Sequence, residues 1–105
     1  MKESIDYNVI TSDAALTMLD SHIEFLARVS MQATLNLMDE VLSDIESLSK
    51  YPERFPFFDS EFIPDSRYRK MLSAKRYLII YEIDGNDVNV DYIVDCRQDY
   101  EWLLL

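Results

Sequence analysis

The sequence has little of the residue types that build disulfides, phosphate loops and zinc sites. It contains one cysteine, Cys96, so no disulfide can form within the chain, which is typical of proteins in a reducing cytosol. The single glycine, Gly85, excludes a glycine-rich phosphate loop. The single histidine, His22, lacks the cysteine or histidine partners of a standard zinc site. We therefore expect a cytoplasmic protein without a metal or another cofactor.

Long apolar stretches are also missing. Residues 1–6 have no apolar core region of the kind that a signal peptide needs. No apolar run approaches the roughly 18 residues that a membrane-spanning helix needs. The sequence therefore predicts neither a signal peptide nor a membrane contact. Its 105 residues, of which 49% are hydrophobic, predict a single globular domain over residues 1–105.

The charges are unevenly distributed along the chain. There are 20 acidic and 10 basic residues, which give a net charge of -10. Half of the basic residues lie in one stretch without acidic residues, which we call the basic segment; they are Arg67, Arg69, Lys70, Lys75 and Arg76. This segment predicts a site for an anionic substrate or an acidic partner, or else a means of neutralising the acidic helices beside it. The overall charge argues against general affinity for nucleic acid, because a polyanion is repelled except close to a basic patch.

Two helices are predicted in the first half of the chain. Residues 7–11 indicate a short strand by their alternation and β-branching. Ser12 and Asp13 provide an N-cap and a favourable charge for a helix over about 13–29. A second helix follows almost without a linker and ends at Pro52, because proline cannot continue a helix. Apolar residues recur at spacings of three and four in both helices, which predicts an antiparallel amphipathic hairpin. These residues are Leu16, Leu19, Ile23 and Leu26, then Leu35, Met38, Val41 or Leu42, Ile45 and Leu48.

An aromatic loop is predicted after the second helix, over residues 51–66. Its rings either cover one edge of the core or form a docking surface for a partner peptide. They are Tyr51, Phe55, Phe57, Phe58 and Phe62.

The pattern then changes to the period of two that is typical of strands. Residues 68–72 and 77–83 predict two strands joined by a turn, and residues 84–87 predict a hairpin turn because glycine and asparagine tolerate positive φ. The last strand alternates apolar and polar residues, which predicts a sheet with one solvated face. Its predicted inward residues are Val88, Val90, Tyr92 and Val94.

The order of these elements is strand, helical hairpin and three-stranded antiparallel meander. The helices must bury their apolar stripes on one face of the sheet, which predicts a two-layer α+β domain. This order, the ending of the hairpin at Lys50-Tyr51-Pro52, and the segments 77–90 and 93–100 resemble the RelE/ParE superfamily of type II toxins. The resemblance covers most of the chain and predicts the RelE/ParE fold.

The resemblance implies a small toxin that is neutralised by a cognate antitoxin. RelE-like members cleave ribosome-bound mRNA without a metal, whereas ParE-like members inhibit DNA gyrase. Matched to the RelE-like pattern, the candidate catalytic residues are Arg69, Arg97 and Tyr100. Met71 and Leu78 stand where that pattern has a lysine and an arginine. Since neither can carry charge or a proton, the sequence favours the ParE-like activity over mRNA cleavage.

Candidate binding residues for a partner are Arg67, Lys70, Lys75, Arg76 and Trp102. The basic segment suits an acidic antitoxin segment, and the apolar residues 102–105 suit a docking surface. Lys70 is one residue out of phase with Arg69 and is expected on the other face of its strand. The net charge of -10 departs from the basic character of most such toxins. A protein-interaction module on the same fold, without toxicity, therefore stays an alternative.

Overall fold

The computed structural model describes residues 6–58 and 67–95 of the chain. Within these ranges, a strand, two helices and three strands follow one another in the predicted order. Two single-turn 3-10 helices, Ser47–Ser49 and Pro52–Arg54, follow the second α-helix. The main elements are β1 (Asn8–Thr11), α1 (Asp13–Ala27), α2 (Met31–Glu46), β2 (Arg69–Ser73), β3 (Tyr77–Asp84) and β4 (Asp87–Asp95).

Both helices begin at a serine N-cap. Ser12 lies in the extended region, and its Oγ accepts a hydrogen bond of 3.0 Å from the Ala15 N–H, as predicted for the start of α1. Ser30 does the same for Ala33 at 3.2 Å and starts α2. Each cap satisfies a backbone donor that has no partner inside its helix, so a sharp boundary separates α1 from α2.

The four strands form a mixed sheet in the order β1-β4-β3-β2. The β2/β3 and β3/β4 pairs are antiparallel, as the predicted meander requires, whereas β1 pairs with β4 in parallel. A parallel pair needs a long crossover connection, which the helices and the other strands supply here. The first and last described strands are therefore neighbours.

The main core lies between the helices and one face of the sheet, which we call the helix-facing side. In β3, every second residue from Tyr77 to Tyr81 points to this side and is fully buried. His22 on α1 packs edge-on against the Tyr77 ring, with 5.2 Å between ring centroids. The helices contribute Ala15, Leu19, Val41, Ile45 and Leu48 to this core.

The opposite face of the sheet, which we call the open face, is not fully solvated as predicted. It carries a smaller cluster of four buried residues, Phe58, Tyr68, Ile80 and Val94. The predicted solvated face is therefore wrong for this part of the sheet, since Phe58 of the aromatic loop and Met18 of α1 pack there.

A β-bulge in β4 explains why the last strand serves both faces. Ile80 pairs with Tyr92 and Tyr81 pairs with Val90, so Asp91 has no counterpart on β3. One extra residue inverts the alternation of side chains beyond it. The prediction that four residues of β4 share one inward face is therefore wrong. Val88 and Val90 face the helices, whereas Tyr92 and Val94 belong to the open face.

The bulge also connects the sheet to the start of α1. The Ser12 N–H donates to the Val90 carbonyl at 2.9 Å, and the Ser12 hydroxyl donates to the Asp91 carbonyl at 3.2 Å. On the open face, the Tyr68 hydroxyl donates to the Asp91 carboxylate at 2.9 Å. The irregular residue therefore has its polar groups satisfied from both sides of the sheet.

Candidate functional site

The basic segment forms β2 and the turn to β3, and its cations point in different directions. Arg69 and Lys70 are adjacent on β2, so their side chains lie on opposite faces of the sheet, as expected from their spacing. The segment is therefore not one continuous patch, and each cation has its own surroundings.

Arg69 binds the backbone of the segment that follows α2. Its guanidinium donates to the carbonyls of Glu53 and Phe55, at 3.1 and 2.6 Å, and lies 4.0 Å from the centre of the Phe57 ring. The backbone joins the same two segments, because the Lys70 N–H donates to the Pro56 carbonyl at 3.0 Å. Arg69 thus holds the aromatic loop against β2, and its candidate catalytic role stays a prediction.

Arg76 forms the most buried ion pair in the described ranges. Its Nη2 lies 3.0 Å from Asp95 Oδ2, and the side chains are 25% and 5% exposed respectively. The guanidinium also lies over the Tyr77 ring, 5.1 Å from its centre. Because Asp95 is paired with Tyr77 across the β3/β4 ladder, this ion pair lies on the helix-facing side.

Arg67 and Lys70 lie on the open face beside its aromatic cluster. Arg67 Nε is 3.4 Å from Glu82 Oε1, in an exposed ion pair, and its guanidinium lies 5.1 Å from the centre of the Tyr68 ring. The Lys70 ammonium lies 5.9 Å from the centre of the Phe58 ring. Both contacts are of the cation–π type, which contributes about 0.5–1 kcal/mol at exposed sites.

Lys75 differs from the other cations of the segment. It occupies the β2–β3 turn with a φ of 62°, next to Ala74 with a φ of 55°. It is exposed, and no ion pair, hydrogen bond or aromatic ring is recorded for it among the residues that the structure describes. Its charge is therefore fully available to a partner.

The remaining predicted site residues are Arg97, Tyr100 and Trp102, and they lie outside the described residues. The two positions where the RelE-like cations are replaced are described. Met71 is buried in the helix-facing core, and Leu78 is half-buried on the open face.

The aromatic loop covers the core at two of its rings. Phe58 is buried in the open-face cluster, and Phe55 packs against the helix-facing core. Tyr51 instead adopts a left-handed conformation and is 72% exposed. Phe62 lies outside the described residues. The loop therefore combines the predicted core cover with one ring, Tyr51, that is free to contact a partner.

Comparison with known proteins identifies the fold. The sequence matches no protein-family model and no curated protein. Its structure is similar to a chain of the chromosomal ParDE TA system from P. aeruginosa, with a TM-score of 0.71 and 13% sequence identity. The similarity covers 88% of this chain and 98% of that chain. This chain has the RelE/ParE fold. The fold predicted from the sequence is therefore confirmed.

Two buried tyrosines of this RelE/ParE fold are held as neutral phenols. The Tyr81 hydroxyl donates to the Pro52 carbonyl at 2.6 Å, and burial raises the pKa of Tyr81 to about 12. Burial, followed by the hydrogen bond to Asp91, raises the pKa of Tyr68 above its ordinary value. An efficient general base needs a pKa near the working pH, so neither phenol is suited to remove a proton at pH 7.

Other kinds of site receive no support from the described ranges of the fold. No group of three or more histidine, cysteine, aspartate or glutamate side chains within residues 6–58 and 67–95 is arranged to hold a metal ion. No helix in these ranges combines the length and hydropathy needed to cross a membrane.

The sequence did not predict an apolar groove on the outer surface of the helical hairpin. Leu16 and Leu35 were expected in the buried stripe, but they are 46% and 49% exposed, and Leu42 is 46% exposed. The available signal was the width of the apolar stripe, since Leu16 and Leu42 stand beside other apolar residues that fill the core. Helices with so wide a stripe have apolar surface on two sides.

Proposed function

We propose that this chain is the toxin of a type II toxin–antitoxin pair, that a cognate antitoxin binds it in the cytoplasm, and that it inhibits DNA gyrase as ParE-like toxins do. The observation that carries the proposal is the shared fold with a chain of the ParDE TA system over 88% of this chain. A ParE-like toxin acts by binding its target and needs no catalytic residues of its own.

The surroundings of the cations favour binding over mRNA cleavage. Metal-free cleavage of RNA needs a base, an acid and cations directed at one phosphate. Arg69 is bound to two backbone carbonyls, and Arg76 is paired with a buried carboxylate. Lys70 lies on the face opposite to Arg69, and Met71 is buried. The described part of the basic segment therefore directs no group of cations at a common point.

The proposal is tested by inducing the chain in bacteria, alone and together with the protein encoded beside its gene. We expect growth arrest when the chain is alone, intact mRNA, and loss of DNA supercoiling, with all three effects reversed by the neighbouring protein. Purified chain should inhibit gyrase on a relaxed plasmid in proportion to its concentration.

Two variants separate this outcome from the RelE-like alternative. Arg97→Ala removes the last candidate cation of the catalytic set, and Arg28→Ala, which removes an exposed arginine at the end of α1 outside the basic segment, is the matched control. Ribosome-dependent mRNA cuts that Arg97→Ala abolishes and Arg28→Ala leaves intact would support mRNA cleavage instead of gyrase inhibition. If a stably folded chain caused no growth arrest, the alternative of a non-toxic interaction module would be favoured.

A further inference from the structure

The helical hairpin carries an apolar groove whose floor includes the core residue Leu19 and whose sides include the exposed leucines Leu16 and Leu42. It lies between α1 and α2 and is lined by Leu16, Leu19, Ile23, Met38 and Leu42, with Asp20 at its side. On α2, the residues Leu35, Met38 and Leu42 stand at spacings of three and four, so they form one stripe along the helix. Three exposed leucines on one side of a small domain form a patch of the kind that binds a partner.

The helices that form the groove carry charges of one sign only. Asp13–Ala27 and Met31–Glu46 contain seven acidic residues and neither lysine nor arginine. Asp20 lines the groove, and Asp39 and Glu46 are three and four residues from the groove residue Leu42, so they are its neighbours on the surface of α2. None of these three carboxylates takes part in an ion pair recorded for residues 6–58 and 67–95.

We infer that this groove binds an amphipathic helix whose apolar stripe is flanked by lysine or arginine. The apolar groove fits the helix-in-groove mode of recognition, in which side chains at spacings of three and four insert between two helices. The unpaired carboxylates at its side select a cationic partner and repel an acidic one. A second copy of this chain is excluded as the occupant, because the same acidic helices would face each other.

Helix binding at the groove is independent of the proposed inhibition of gyrase. The groove lies on the helical layer, whereas the open face lies on the other side of the sheet. Gyrase inhibition and helix binding can therefore fail separately, since the first is measured by supercoiling and the second by direct binding.

The binding experiment uses three synthetic peptides of about 18 residues, a length that spans the hairpin at about 1.5 Å per residue. The first has leucines at helical spacing and lysines elsewhere, the second has glutamates in place of the lysines, and the third is a scrambled form of the first. Binding to the full chain is measured by fluorescence anisotropy at about 0.15 M salt. We expect the first peptide to bind at least about tenfold more tightly than the scrambled form and far more tightly than the glutamate form.

Matched variants of the chain locate the binding site. Leu42→Ser removes a groove leucine and should weaken binding of the first peptide at least about tenfold. Leu72→Ser, which changes a leucine that is 60% exposed on β2, should leave binding unchanged. Leu16→Ser provides a second groove variant should Leu42→Ser lose its helical circular dichroism. Asp20→Asn should weaken binding and flatten its dependence on salt.

Three results would overturn the inference. Equal binding of the ordered and scrambled lysine peptides would show that charge attraction alone accounts for the binding. Unchanged binding by folded Leu42→Ser and Leu16→Ser would place the site elsewhere. Self-association in sedimentation equilibrium that Leu42→Ser abolishes would make a second copy the occupant.

Discussion

The helix-facing side and the open face of the sheet differ in how completely they are packed. Among residues 6–58 and 67–95, twelve buried residues form the cluster under the helices and four form the cluster on the open face. On the helix-facing side, the Ser73 hydroxyl donates a part-buried hydrogen bond of 2.6 Å to the Asp44 carboxylate. On the open face, Arg67 and Glu82 meet at 3.4 Å in contact with solvent. The comparison teaches that one side of the sheet supplies stability, while the other leaves side chains available for contacts.

The largest expected difference between the two sides comes from two adjacent isoleucines. Ile79 and Ile80 are both fully buried, but Ile79 faces the helices and Ile80 faces the open side. We expect Ile79→Ala to lower the free energy of unfolding by about 3–5 kcal/mol and Ile80→Ala by about 2–3 kcal/mol, because a small cluster collapses more readily around a cavity. Urea denaturation measures both values. An equal or larger cost for Ile80→Ala would contradict the comparison.

The next effect concerns two of the ion pairs, one buried and one exposed. Arg76→Ala takes the guanidinium away from a carboxylate that is 5% exposed, and we expect a loss of about 2–4 kcal/mol in the free energy of unfolding. Arg67→Ala breaks an exposed pair and should cost less than about 1 kcal/mol. Thermal unfolding at low and high salt distinguishes them, since only the exposed pair should weaken with salt. Equal costs would mean that the Asp95 site is effectively solvated.

A smaller effect is expected from two tyrosines on the helix-facing side. Tyr81→Phe removes the donor to the Pro52 carbonyl and should cost about 1–2 kcal/mol. Tyr77→Phe removes a buried hydroxyl for which the described residues supply no hydrogen-bond partner, so we expect no cost or a small gain in stability. The two phenylalanine variants share the same change in shape, and chemical denaturation compares them directly. A clear loss for Tyr77→Phe would reveal a partner for its hydroxyl.

The raised pKa values of two tyrosines predict a loss of stability in alkali. Tyr81, with a pKa raised to about 12, and Tyr68, with a raised pKa, keep their protons in the folded state after the unfolded phenols begin to ionise near pH 10. Their contribution is complete below pH 10 and is lost as the pH rises toward about 12. Unfolding at pH 9 and pH 11 should show this fall, and Tyr81→Phe should reduce it. An identical fall in the variant would assign the effect to other groups.

Local patterns predicted most of the fold. The Ser12 cap, the hairpin turn at Gly85 and the apolar alternation of β3 depend on neighbouring residues, and each was predicted close to its observed position. The parallel pairing of β1 with β4 was not predicted, because no local pattern specifies which strand lies beside another. The bulge at Asp91 was also missed, since one extra residue leaves the alternation of the sequence intact while the strand changes face.

The candidate site was less predictable than the fold. The concentration of cations was visible, but the partners of Arg69 and Arg76 are 14 to 19 residues away in the sequence. Whether a cation serves the structure or a ligand depends on such distant contacts. The exposure of Leu16 and Leu42 likewise depends on how two helices are rotated relative to the sheet, which spacing alone does not determine.

The parallel pairing of β1 with β4 affects how the chain folds during its synthesis. α1 packs on β4, and β1 needs the same strand as its neighbour, so both wait for the last described strand to leave the ribosome. At roughly 5–20 residues per second, the delay between completion of α2 and completion of β4 is several seconds. During that time the apolar surface of the hairpin has no sheet to cover it, which exposes the nascent chain to aggregation.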